Sequence, residues 1–186
     1  MKTKLILLVT SLSALVCTVK ASAPDKAQVE AHYKSYHAAG KAVVEMAITQ
    51  KVDPAEVAKK VDIMIADALW LAGQYAKAHP KGAKLIGTYI ENIATLRTLS
   101  YHDLETEWHD LGYFAKPGRE AGLDIKAEEN EHFTDPRHTL VHPLMVLRAA
   151  QSYAAGKKPD DLKAMKTEME EGLEQAEKQK TTLLKS

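Results

Sequence analysis

From Val29 onward, apolar residues recur three and four positions apart, and that spacing predicts helix along nearly the whole chain. Val29, Tyr33, Tyr36, Gly40, Val43 or Val44, and Ala47 form one stripe between Asp25 and Gln50. Asp53-Pro54 reads as an N-cap followed by proline at the first helical position. The stripe then resumes at Val57, Val61, Met64, Ala68, Leu71 or Ala72, and Tyr75, and His79-Pro80-Lys81-Gly82 closes it. Leu85, Ile86, Tyr89, Ile93, Leu96 and Leu99 carry a third helix. Ser100, with Asp103 three residues on, resembles a capping arrangement that opens a helical stretch from Tyr101 to Phe114.

Lys116-Pro117-Gly118 stops that stretch, and the polar segment to Asp135, with Gly118 and Gly122, shows no periodicity. Leu144–Tyr153 reads as helix, with His142 as its N-cap and Pro143 at its first position. A last helix follows Pro159 on Leu162, Met165, Met169, Leu173 and Ala176, with a charged outer face. No strand-like alternation is present. The expected fold is all-α, an antiparallel bundle of five to six helices with one long irregular loop at about 115–135.

The first residues belong to another kind of segment. Lys2 and Lys4 precede a mostly apolar run from Leu5 to Val19, and Ala21-Ser22-Ala23 follows. This is the pattern of a cleavable signal peptide over 1–23, cut after Ala21 or Ala23, and the run is too short for a membrane span. A single helical domain over 24–186, periplasmic or secreted, is then expected. The chain's one cysteine, Cys17, lies in the segment to be removed, which excludes disulfides, thiolate metal sites and covalent haem from the mature protein.

Lys2, Lys4 and Lys20 leave with the signal, so an even balance of 25 basic and 25 acidic residues becomes 22 against 25, a net of −3. No basic stripe remains to neutralise a phosphate backbone, so nucleic acid is not an expected partner. The sequence names no protein partner.

Chemistry concentrates in one region. Five of the eight histidines lie between His102 and His142, among Asp103, Glu105, Glu107, Asp110, Glu131 and Asp135. On a regular helix, His102, Glu105 and His109 fall within about 60° of one line, but about 10.5 Å separates the two histidines. Glu105 and His109, one turn apart, form half of a predicted metal site, and His138, His142 or both complete it from beyond the loop. His102 stands behind this set or serves a second ion.

Imidazole with carboxylate suits a divalent transition metal, zinc or copper before iron. Neither the paired Glu-x-x-His of di-iron bundles nor His-Glu-x-x-His occurs. No nucleophile elbow or phosphate-cradling loop is present, and no catalytic residue is assigned. The expected function is an exported bundle that buffers, senses or hands on a metal ion. An accessory module with structural or pH-responsive histidines is the alternative, and a metal-assisted hydrolase ranks third. Trp108, Tyr113 and Phe114, with Met165 and Met169, read as core rather than as ligands.

Overall fold

The computed structural model describes residues 24–186; the predicted signal peptide lies outside them. Four long helices, α1 (Lys26–Ile48), α2 (Pro54–Ala78), α6 (Asp135–Gly156) and α7 (Pro159–Lys185), form the body. Three short ones, α3 (Ala83–Glu91), α4 (Ile93–Leu96) and α5 (Tyr101–Asp103), lie between α2 and α6. No strand occurs among the described residues, and none of their helices is long and apolar enough to cross a membrane.

The long helices close a ring in which α1 packs on α2, α2 on α6, α6 on α7 and α7 on α1. Neighbours run antiparallel, as short connections require of α1 with α2 and of α6 with α7. His32 on α1 pairs with Asp67 on α2, and Tyr75 near the end of α2 reaches the His132 carbonyl just ahead of α6. The bundle is therefore a four-helix up-and-down body with one excursion, residues 79–134, inserted between its second and third long helices. The predicted stripes form its interior: Val29, Tyr36 and Val43 meet Val57, Val61, Met64, Leu71, Met165 and Met169, all fully buried. Trp108 and Phe114 are also core.

Local signals explain most boundaries. The Asp25 carboxylate accepts from the Ala27 and Gln28 amides and opens α1. Asp53 does the same for α2 from Ala55, ahead of Pro54. Ser100 Oγ accepts from the Asp103 amide at 3.1 Å, the capping arrangement expected there.

Three stretches differ from expectation. Tyr101–Phe114 is not one helix, because α5 passes into a wide turn over Leu104–His109 and a separate 3-10 helix covers Gly112–Ala115. The irregular segment is shorter than 115–135, because residues Glu128–Thr134 coil into a 3-10 helix that runs into α6. And α6 begins at Asp135, so His142 is not an N-cap but lies inside a helix that continues through Pro143. A proline there cannot donate to the carbonyl four residues back, that of Thr139. The Tyr36 hydroxyl, fully buried on α1, donates to that carbonyl at 3.1 Å. A side chain from another helix thus supplies the missing hydrogen bond, which the local sequence around Pro143 does not disclose. Tyr36→Phe keeps the ring and removes the donor, leaving a buried carbonyl unpaired. A loss of about 1–3 kcal/mol is expected in denaturant unfolding, and an unchanged midpoint would show that the carbonyl is satisfied some other way.

Candidate metal centre

Because α6 is helical through Pro143, His138 and His142 are separated by one turn and share a face, with ring centroids 5.3 Å apart. His109 reaches them from the excursion. Its backbone is not regular α-helix: Leu104–His109 forms a π-helical turn, in which the Asp110 amide bonds back to the Glu105 carbonyl five residues earlier at 2.7 Å. Such wide turns are frequent at functional sites. Leu111 then takes φ 67°, the left-handed conformation usually left to glycine, and turns the chain away. Trp108 anchors the turn, stacked on Tyr113 at 4.2 Å and edge-on to Tyr89 at 5.5 Å.

The result is a triangle of imidazoles. The His109 ring lies 5.3 Å from His138 and 5.1 Å from His142, nearly matching the His138–His142 separation. One ring nitrogen from each lies within 4.8 Å of the others. Zinc–nitrogen bonds of ~2.0–2.1 Å place tetrahedral ligands about 3.4 Å apart, so small side-chain rotations close the triangle on an ion.

Carboxylates come from α7. Glu168 Oε2 lies 2.8 Å from His142 Nδ1, and Glu171 Oε2 lies 4.0 Å from His142 Nε2. Glu168 also accepts from the Tyr101 hydroxyl through its other oxygen. Burial pushes the Glu168 carboxyl up, but hydrogen bonds from His142 and Tyr101 outweigh it and hold the group below the ordinary range. Glu168 is therefore an anion, and Nδ1 of His142 carries the proton that it accepts. Nε2 of His142 is the nitrogen left to face a metal, the arrangement in which metal-binding histidines are oriented by a carboxylate behind them. Glu171, whose side chain is half exposed, is placed to supply a fourth ligand.

His138 is neutral. Burial, then the neighbouring Arg137 charge, pushes its imidazole down to about 2, so a lone pair rather than a second proton is present. An acidic cleft of about 510 Å³, bordered by Glu128, Glu129, Glu131 and Asp135 with Lys178 opposite, opens on His138. Burial also raises the Asp135 carboxyl in this cleft, to about 7.

Of the five residues predicted as ligands, the fold brings together His109, His138 and His142. Glu105 is outside the group. Regular α geometry would place it one turn from His109, but the π turn changes that register, and its charge acts on Tyr101 instead. His102 is exposed on the far side of the short α5 helix. Sequence reasoning missed Glu168 and Glu171 because α7 carries charge around most of its surface. A usable signal was Gly172, four residues after Glu168 on the same face. A Cβ there would lie 3.1 Å from His142 Cβ, so the glycine makes room for that imidazole.

Compared with known proteins, the chain matches no family model, and no curated protein or solved structure is significantly similar to it.

Proposed function

We propose that this chain is an exported metal-binding bundle that takes up a divalent transition ion, zinc or copper, through His109, His138 and His142. The observation that carries this reading is the convergence of three imidazoles from two separate segments, within 4.8 Å of one another. Glu171 closes the coordination sphere, and Glu168 with Tyr101 orients His142 from behind. Nitrogen and oxygen donors without thiolate suit zinc and Cu(II) better than Cu(I). The acidic cleft on His138 draws cations toward the site. The role is buffering or transfer of the ion rather than chemistry on a substrate. Export is supported by the N-terminal pattern of Lys2, Lys4 and the apolar run behind them.

The test is to express the chain with its own N-terminus, purify it without an affinity tag, and measure bound metal by elemental analysis. Zinc and Cu(II) are then titrated into the stripped protein. One ion per chain is expected. Protein that comes out metal-free and takes up neither ion at micromolar concentration would overturn the metal reading. The His142–Glu168 pair would then stand as a structural hydrogen-bonded pair inside an interaction module.

A further inference from the structure

Arg137 stands directly beside the imidazole triangle and is only 7% exposed. Its Nη2 donates to His138 Nε2 at 2.6 Å. Its Nε and Nη1 are buried with no hydrogen-bond partner among the described residues. The buried Tyr89 hydroxyl interacts with the guanidinium, and Asp110 and Asp135 influence it through their charge, yet neither carboxylate pairs with it directly. A buried cation that meets only a ring nitrogen and a phenol is an expensive arrangement, and a purely structural arginine would be expected to meet a carboxylate.

Guanidinium has donors and no acceptor. His138 Nε2 must therefore accept, and the proton of the neutral ring sits on Nδ1. A metal ion needs the same Nε2 lone pair. Binding at Nδ1 instead would strip its proton and leave an imidazolate facing the arginine. Cation and ion thus compete for one orbital, and their charges repel at short range.

Resting on the metal-binding reading, we propose that Arg137 is a built-in competitor. Its guanidinium holds the His138 lone pair while no ion is bound and is pushed off when a divalent ion enters, so the site releases its ion readily. No covalent bond is made or broken in the protein. The hydrogen bond Arg137–His138 is exchanged for the metal–nitrogen bond, the Nδ1 proton stays in place, and the guanidinium swings toward Asp110 or Asp135. The site is thereby tuned for exchange rather than for permanent occupancy, as a carrier or buffer needs.

Zinc affinity is measured by competition with a chromophoric chelator for the native chain and for Arg137→Met and Arg137→Gln. Each variant is checked for native helicity. Removing the competitor is expected to tighten binding about tenfold to a hundredfold, the size of effect that groups just outside a metal's ligands exert. In a His138→Ala background the same substitutions should change nothing, because the contested lone pair is gone. Folded Arg137 variants with unchanged or weaker affinity would overturn the proposal while leaving the metal site standing. No zinc uptake by native chain or variants would overturn both. Nitrogen-15 spectra of the native protein give an answer without any variant. His138 should hold its proton on Nδ1 before zinc and ligate through Nε2 after it, and a proton found on Nε2 in the zinc-free state would overturn the competition.

Discussion

His109→Ala is expected to abolish metal uptake and leave the fold intact, whereas His142→Ala should abolish uptake and destabilise the protein as well. The difference follows from where the two rings sit. The His109 side chain is 29% exposed, on the excursion, and its one polar contact is Asp110 at 3.1 Å. Pairs this exposed are worth little, about 0–1 kcal/mol. Truncation there removes a ligand and little else. His142 is 1% exposed and paired with a Glu168 side chain that is itself 14% exposed. Alanine at 142 leaves a buried carboxylate with only Tyr101 to satisfy it, besides a cavity between α6 and α7. Breaking such a pair from one side costs on the order of 3–5 kcal/mol.

Both substitutions should weaken zinc binding by more than the roughly 10–100-fold typical of groups outside the ligand set. Glu168→Gln, by contrast, should fall within that range, because it disturbs the orientation of His142 without removing a ligand. Calorimetric titration gives the affinities and denaturant unfolding the stabilities. A His109→Ala protein that binds zinc like the native chain would remove His109 from the site. It would shift the weight to His142, Glu168 and Glu171, which form a second closely spaced group.

Trp108→Ala should be the most destabilising single change in the excursion, at about 3–5 kcal/mol. Trp108 is 3% exposed and touches Tyr89, Tyr113 and Phe114. It is the residue before His109, so the same indole that fills the core also fixes the end of the π turn. Loss of stability and loss of metal affinity should therefore appear together, although Trp108 offers no ligand atom to a metal. With total stabilities of about 5–15 kcal/mol for single domains, the variant is expected to remain folded only in the cold or with metal bound. Zinc should raise its midpoint, because an ion that binds only the folded state stabilises it. Trp108→Phe retains part of the aromatic contact and should recover much of both losses. Destabilisation with full metal affinity retained would mean that His109 is positioned without the aromatic cluster.

The long helices were legible because their stripes are local. Val29 to Ala47, Val57 to Tyr75 and Met165 to Ala176 each repeat at helical spacing, and Asp25, Asp53 and Ser100 mark starts by side-chain chemistry visible within three residues. What was not legible depends on distant partners. Pro143 reads as a helix start until Tyr36, 103 positions from Thr139, is seen to satisfy the carbonyl it frees. That contact accompanies the continuous helix on which His138 and His142 share one face. The imidazole part of the site could be anticipated from composition, since histidines crowd His102–His142. The choice among them could not, because it depends on the π turn rather than on the regular 100° step assumed for Glu105 and His109. The α7 carboxylates were hidden for the opposite reason: among many surface glutamates, only packing against His142 singles out Glu168.

The π turn makes the centre depend on how the backbone closes there as well as on residue identities. A turn closed five residues back holds one residue more than an α turn of the same span. Relaxing Leu104–His109 to ordinary helix with all its residues kept would rotate everything after it by about 100°, roughly one residue's step. His109 would then face away from α6 with its side chain unaltered. A sequence can thus hold all three imidazoles and both glutamates and still carry no centre, so what related chains need to share here is the wide turn as well as the ligands.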